Sequence, residues 1–190
     1  VYLFQWYAMF CYWQYVSHSI AQSVWKTTSE NKELYSQAVA WTGLVNGFYN
    51  VVTFLSAFAL VAVARKYGAK WVHAGALILA AVGLWMFPHI SNKYMLFVPM
   101  IGFGIAWASM MGVPYIIAVA AIPRERYGVY MGIINMMIVI PMLIQTLTFG
   151  KVYHNFLGAT PGNAIMFAGA LLFIAALATL LIKTPKQESN

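Results

Sequence analysis

The 190 residues are 62% hydrophobic and 8% charged, with a mean hydropathy of +0.72, whereas a soluble domain carries roughly 25% charged residues. A soluble domain is thereby excluded, and the long uninterrupted apolar runs exclude the alternating pattern of a membrane β-barrel. The formal charge of +7 does not mark a nucleic-acid surface, because Lys and Arg stand singly or in short turns at the ends of apolar runs, where they anchor helices and set topology. The class is an all-α membrane protein.

The chain opens on VYLFQWYAMF, already apolar and aromatic, with neither an initiator Met nor a basic leader. Val1 therefore reads as an interior residue of a longer polypeptide. Six apolar segments follow, over about 1–24, 39–64, 71–87, 94–122, 129–149 and 163–182, each near the length that crosses a bilayer. An even number of spans puts both chain ends on one side. That side holds Arg65, Lys66, Lys70, Arg124, Arg126, Lys183 and Lys186, against Lys26, Lys32, Lys93 and Lys151 on the other, so the ends are predicted to be cytoplasmic. The polar stretch Lys26–Gln37 is predicted as an external loop.

Polar residues inside the spans are the candidate functional groups, because each is costly in hydrocarbon unless it meets a partner or water. In the first span Tyr7, Cys11, Gln14, Ser17 and His18 share a helical face, with Gln5 on another side. In the second, Thr42, Asn46, Tyr49, Asn50 and Thr53 form a stripe. Such stripes fit two readings: a cavity wall offering amides and hydroxyls to a polyhydroxylated ligand, or hydrogen bonding between helices. His18 is a candidate for proton movement, or an interfacial residue at a helix end.

The fourth and fifth spans form a hairpin from Gly104 to Gln145 around the charged turn Arg124-Glu125-Arg126. Trp107, Ser109 and Tyr115 surround a possible bend at Pro114, and Asn135 is the polar position of the fifth span, with Gln145 about 80° away around the helix. Pro141 is a second bending point. Gly43-x-x-x-Gly47 and Gly128-x-x-x-Gly132 permit close helix contact. The third and sixth spans, poor in mid-span polar groups, are expected to face lipid. The lone Cys11 gives no disulfide framework, and no metal-ligand cluster, phosphate loop or nucleophile constellation occurs, so neither an enzyme nor a cofactor is expected.

GIAWASMMGVPY (Gly104–Tyr115) and GVYMGIINMMIVIP (Gly128–Pro141), with FQWYAMFCYW and the Asn50 region, resemble the sucrose-transporter branch of the glycoside–pentoside–hexuronide cation symporters, within the major facilitator superfamily. The resemblance extends over nearly the whole chain but only to the carboxy-terminal half of a twelve-helix transporter. It implies a six-helix half-fold whose partners are an amino-terminal six-helix half, membrane lipid, a sugar and a proton, working in the cell's inner or plasma membrane. The implied activity is proton-coupled uptake of a disaccharide or glucoside, of sucrose or maltose type, by alternating access. The implied site has Trp107 stacking on a sugar ring, with Gln14, Asn46, Asn50, Ser109 and Asn135 replacing water around its hydroxyls. The turn Arg124-Glu125-Arg126, with Pro114 and Pro141, would set the rocking state. Plant members often carry Gln after the fifth-span proline, whereas Met142 follows Pro141 here.

No acid lies within a span: Glu30, Glu33, Glu125 and Glu188 all fall in connections or the tail. A coupling carboxylate must then lie upstream of Val1, or coupling is absent. The alternatives are a membrane sugar sensor or partner-binding component that moves nothing, and a facilitator made by pairing two copies.

Overall fold

The computed structural model describes residues 1–121, 123 and 126–182, and the side chains of these except 116–121. Six α-helices make up the fold: α1 Tyr2–Ser23, α2 Lys32–Tyr67, α3 Ala69–Met86, α4 Phe97–Ala121, α5 Tyr127–Asn155 and α6 Pro161–Leu180. Two short 3-10 turns, Phe87–His89 and Lys93–Leu96, join α3 to α4. Helices answer the demand of the bilayer, since each backbone N–H and C=O finds its partner inside its own segment. Five of the six are long and apolar enough to cross a membrane; the sixth, α1, is diluted by its tyrosines, glutamines and His18.

Two boundaries differ from the sequence reading, and both lengthen a helix. α2 begins at Lys32 rather than near Val39, because Asn31 caps it, accepting from the Leu34 N–H at 3.2 Å, with Glu33 in the first turn. The second half of the expected polar loop is thereby helix. At its other end Arg65 and Lys66 sit in the last turn, and Gly68 turns the chain into α3 at φ +89°, a backbone conformation that a side chain resists. The 36 residues of α2 extend ~54 Å, against ~30 Å of hydrocarbon. α5 likewise runs on past Phe149 to Asn155.

α3 packs along α4 on one side and α6 on the other; α6 packs along α1, α2 along α4, and α5 leans mainly on α1. The core fills the space between α1, α3, α4 and α6, with Met9, Tyr12, Leu77, Phe103, Met110 and Leu172 among the side chains fully enclosed. α3 and α6 thus have two faces. Leu79, Val82, Ile174 and Leu177 point outward, as expected for lipid contact, while the inner faces supply much of the core.

Close approach is made by glycines other than those expected. A Cβ on Gly104 would meet the Tyr49 carbonyl oxygen at 2.6 Å and Val52 Cβ at 2.7 Å, so only glycine lets α4 lie this close to α2. Gly43, Gly47, Gly128 and Gly132 meet nothing within 4 Å. The small-residue motifs of α2 and α5 therefore make no helix contact among the described residues.

Lysines pair with aromatic rings at both ends of the bundle. Lys93 Nζ lies 4.7 Å from the Trp41 ring and 5.2 Å from Tyr94 at one end, and Lys70 Nζ 5.5 Å from Trp71 at the other. This is the arrangement of side chains at a membrane–water boundary. Lys70 also donates to the Ile182 carbonyl at 3.1 Å, placing a cation at the negative end of α6.

Candidate functional site

The polar and aromatic groups of the spans gather around α1. Three successive residues of α1 reach three different helices, because each step along a helix turns the side chain by ~100°. Tyr12, fully buried, donates to Asn46 Oδ1 of α2 at 2.8 Å. Trp13 meets Trp107 of α4 edge-on, centroids 5.7 Å apart. Gln14 accepts from Gln145 Nε2 of α5 at 3.0 Å. Two turns earlier, Trp6 makes a second edge contact with Trp107 at 5.9 Å, and Tyr7 OH lies 2.9 Å from Thr148 Oγ1.

Both readings of the α1 face have support. Tyr7, Cys11 and Gln14 form the surface on which α5 docks, Cys11 Sγ lying 3.5 Å from the Gln145 amide nitrogen. Gln14 nevertheless remains exposed on its other side, as does Asn50, whose Nδ2 donates to the Asn46 carbonyl at 2.8 Å. Asn46 and Trp107 are half-buried. Asn50, Asn46, Tyr12, Trp13, Trp107, Gln14 and Gln145 thus form a continuous strip crossing α2, α1, α4 and α5. Asn135 is exposed on α5, and Tyr115 OH donates to it at a long 3.5 Å. Beneath Trp107 there is only a narrow apolar crevice, between Met9, Phe103, Met110 and Leu172.

Ser109 occupies a different environment. It is fully buried, and its Oγ lies 2.8 Å from His73 Nδ1 of α3; His73 Nε2 in turn lies 2.6 Å from Gln5 Nε2 of α1. Neither His73 nor Gln5 is among the residues that the sequence reading proposed, and the third span had been set aside as lipid-facing. The signal for His73 was its helical position: His73, Ala76, Leu77, Ala80 and Leu84 lie on the buried stripe of α3 at the spacing of one helix face. Gln145, passed over in favour of Asn135, is the fully buried one of the pair.

His18 is exposed near the end of α1, its ring 5.2 Å from that of Tyr35 at the start of α2, with Tyr35 OH 3.1 Å from Nε2. Pro114 and Pro141 both lie inside continuous helices, and Pro141 is buried. Arg126 is exposed at the N-cap of α5; Arg124 and Glu125 lie outside the described residues. Among the described residues no group of three His, Cys, Asp or Glu could hold a metal.

A family model described as Major Facilitator Superfamily matches residues 2–190. No curated protein and no solved structure matches the chain.

Proposed function

Because the chain belongs to the major facilitator superfamily, a family of membrane transporters, we propose that it is the carboxy-terminal six-helix half of a sugar:proton symporter, taking up a disaccharide or glucoside by alternating access. One observation carries the reading. The strip around α1 joins two asparagines and a glutamine to the helix whose Trp6 and Trp13 hold the half-buried Trp107 indole edge-on. Amides both donate and accept, and so match sugar hydroxyls that lose water. The indole face offers a stacking surface for the C–H face of a pyranose ring.

The two helices that the bundle leaves most open are α2 and α5. Their free Gly43, Gly47, Gly128 and Gly132, with Phe54 and Phe58 outward on α2 and Met136 and Leu143 on α5, suit close packing of the amino-terminal six-helix half. In this reading the sugar binds between the halves, against Trp107, Gln14, Asn46, Asn50 and Asn135. Ser109 supports from behind, bending at Pro114 and Pro141 accompanies the rocking, and ion pairs of Arg124, Glu125 and Arg126 hold one state at the cytoplasmic face of the cell membrane.

The test is uptake of labelled sucrose and maltose into proteoliposomes under an inward proton gradient, comparing the full-length polypeptide with these 190 residues alone. Gradient-driven uptake by the full-length protein only is the expected result. Uptake by the 190 residues alone would point to a facilitator made of two copies, and uptake by neither would overturn the sugar assignment.

A further inference from the structure

The Gln5–His73–Ser109 chain has a direction. An amide nitrogen can only donate, so His73 Nε2, 2.6 Å from Gln5 Nε2, accepts and carries no hydrogen. The neutral ring then holds its hydrogen on Nδ1 and donates it to Ser109 Oγ at 2.8 Å. In this arrangement the other end of the Gln5 amide, Oε1, is buried without a partner. Turning the amide over by half a turn exchanges the two ends and sets an acceptor against His73 Nε2. That is the partner an imidazolium requires, since both of its nitrogens donate.

We propose that His73 is a proton-binding site of this transporter half, alternating between a neutral ring that accepts from the Gln5 amide and an imidazolium that donates to it once the amide has turned over. The incoming proton adds to the free lone pair of Nε2, no covalent bond breaks, and Nδ1–H keeps its bond to Ser109 Oγ throughout.

The surroundings make the two states unequal. α1, α3, α4 and α6 carry no Asp or Glu, and the acid of α2, Glu33, lies in its first turn at the opposite end of the bundle. Among the described residues the positive groups on His73's side are Lys70 on α3, Arg65 and Lys66 at the end of α2, Arg126 at the N-cap of α5, and the Val1 amino group near the ring, a peptide nitrogen wherever the chain extends upstream. Tyr2 of α1 and Tyr115 of α4 are neutral titratable groups on that side. Among the described residues an imidazolium here has two hydrogen-bond acceptors and no counter-charge.

His73 is 2% exposed, so Nε2, covered by Gln5 of α1, meets water only when the helices around it part. Charging is thereby tied to an opening of the bundle at Gln5, and it supplies a group whose charge changes in a half without an embedded carboxylate. That coupling rests on the transport reading above; the protonation itself does not.

Two measurements on the full-length protein separate these claims. In lipid nanodiscs with ¹⁵N-labelled histidine, His73→Gln assigns the His73 signals. The expected spectrum at neutral pH is a neutral ring with hydrogen on Nδ1, gaining a second on Nε2 as the pH falls. Gln5→Glu should raise that midpoint by about one unit or more, and Gln5→Leu should lower it. A ring that stays neutral from about pH 9 to about pH 4, or a midpoint that neither Gln5 variant moves, overturns the proposal. In proteoliposomes, His73→Gln should cut gradient-driven accumulation about tenfold while leaving counterflow exchange within about twofold. Equal loss of both would make His73 a helix link only. If the wild type moves neither sugar, the transport reading fails and the titration alone decides His73.

Discussion

Gly104→Ala tests the tightest helix approach in the bundle. The added Cβ would stand 2.6 Å from the Tyr49 carbonyl oxygen and 2.7 Å from Val52 Cβ, some ~1 Å inside ordinary contact. The near atoms are backbone and a β-branched carbon, neither of which swings aside, so α2 and α4 must separate. Overpacking of this kind costs about 1–3 kcal/mol. The separation also stretches the bond from Thr53 Oγ1 to the Gly104 carbonyl, now 2.9 Å. The added loss is at most ~1 kcal/mol, because the single hydroxyl hydrogen can turn to Tyr49 O, 2.8 Å away, instead.

The total of about 1–4 kcal/mol corresponds to a melting point lower by about 2–16 °C for a chain of this size. The assay is thermal unfolding of the full-length protein in nanodiscs, followed by tryptophan fluorescence. Gly112→Ala is the control: it lies on the same helix and meets nothing within 4 Å. Gly104→Ala melting with the wild type, or Gly112→Ala falling as far, would refute the reasoning.

Trp107→Leu removes two edge-on aromatic pairs, each worth about 0.5–1.5 kcal/mol; sugar affinity in an equilibrium binding assay should fall about tenfold or more, with Trp107→Phe intermediate. Gln145→Ala deletes the link from α5 to Gln14 and Cys11, and a maleimide should label the otherwise buried Cys11 at least about fivefold faster as local opening becomes easier. Lys70→Met strips the cation from the end of α6, costing about 0.5–2 kcal/mol; amide exchange at Ala178–Leu181 should quicken, while Lys70→Arg restores protection.

Much of the fold was legible because the bilayer leaves few options. Continuous apolar runs between charged turns fixed six helices and their order. The helix ends that run past the apolar spans lie in polar sequence outside hydrocarbon, where hydropathy is silent and a cap such as Asn31 decides. Helical periodicity placed Tyr7, Cys11 and Gln14 on one face of α1, and that face is real. Periodicity says nothing about which helix covers a face. Asn46 and Gln14 were legible as polar positions, but their partners Tyr12 and Gln145 required the packing of α1 against α2 and α5. The glycine motifs meet no helix among the described residues for the same reason: spacing shows where a helix can be approached, and contact depends on what is brought there.

His73 shows what a count of polar residues overlooks. A single histidine in an alanine- and leucine-rich span carries little weight beside a stripe of asparagines, yet a lone buried polar group must find partners. Its two ring nitrogens take them from different helices, Gln5 on α1 and Ser109 on α4. The same α1 reaches α2, α4 and α5 through Tyr12, Trp13 and Gln14. A rigid helix cannot tilt without disturbing contacts on both its sides. In the proposed reading, a sugar that engages Asn46, Gln14 or Trp107 on the open side changes the position of Gln5 on the closed side. A movement of α1 sufficient to break a hydrogen bond, about 1 Å, alters what His73 Nε2 meets. The coupling this implies is testable in the binding isotherm: sugar affinity should vary with pH through the His73 midpoint, and the variation should vanish in His73→Gln. By linkage, the His73 midpoint should then shift on adding sugar by the same free energy.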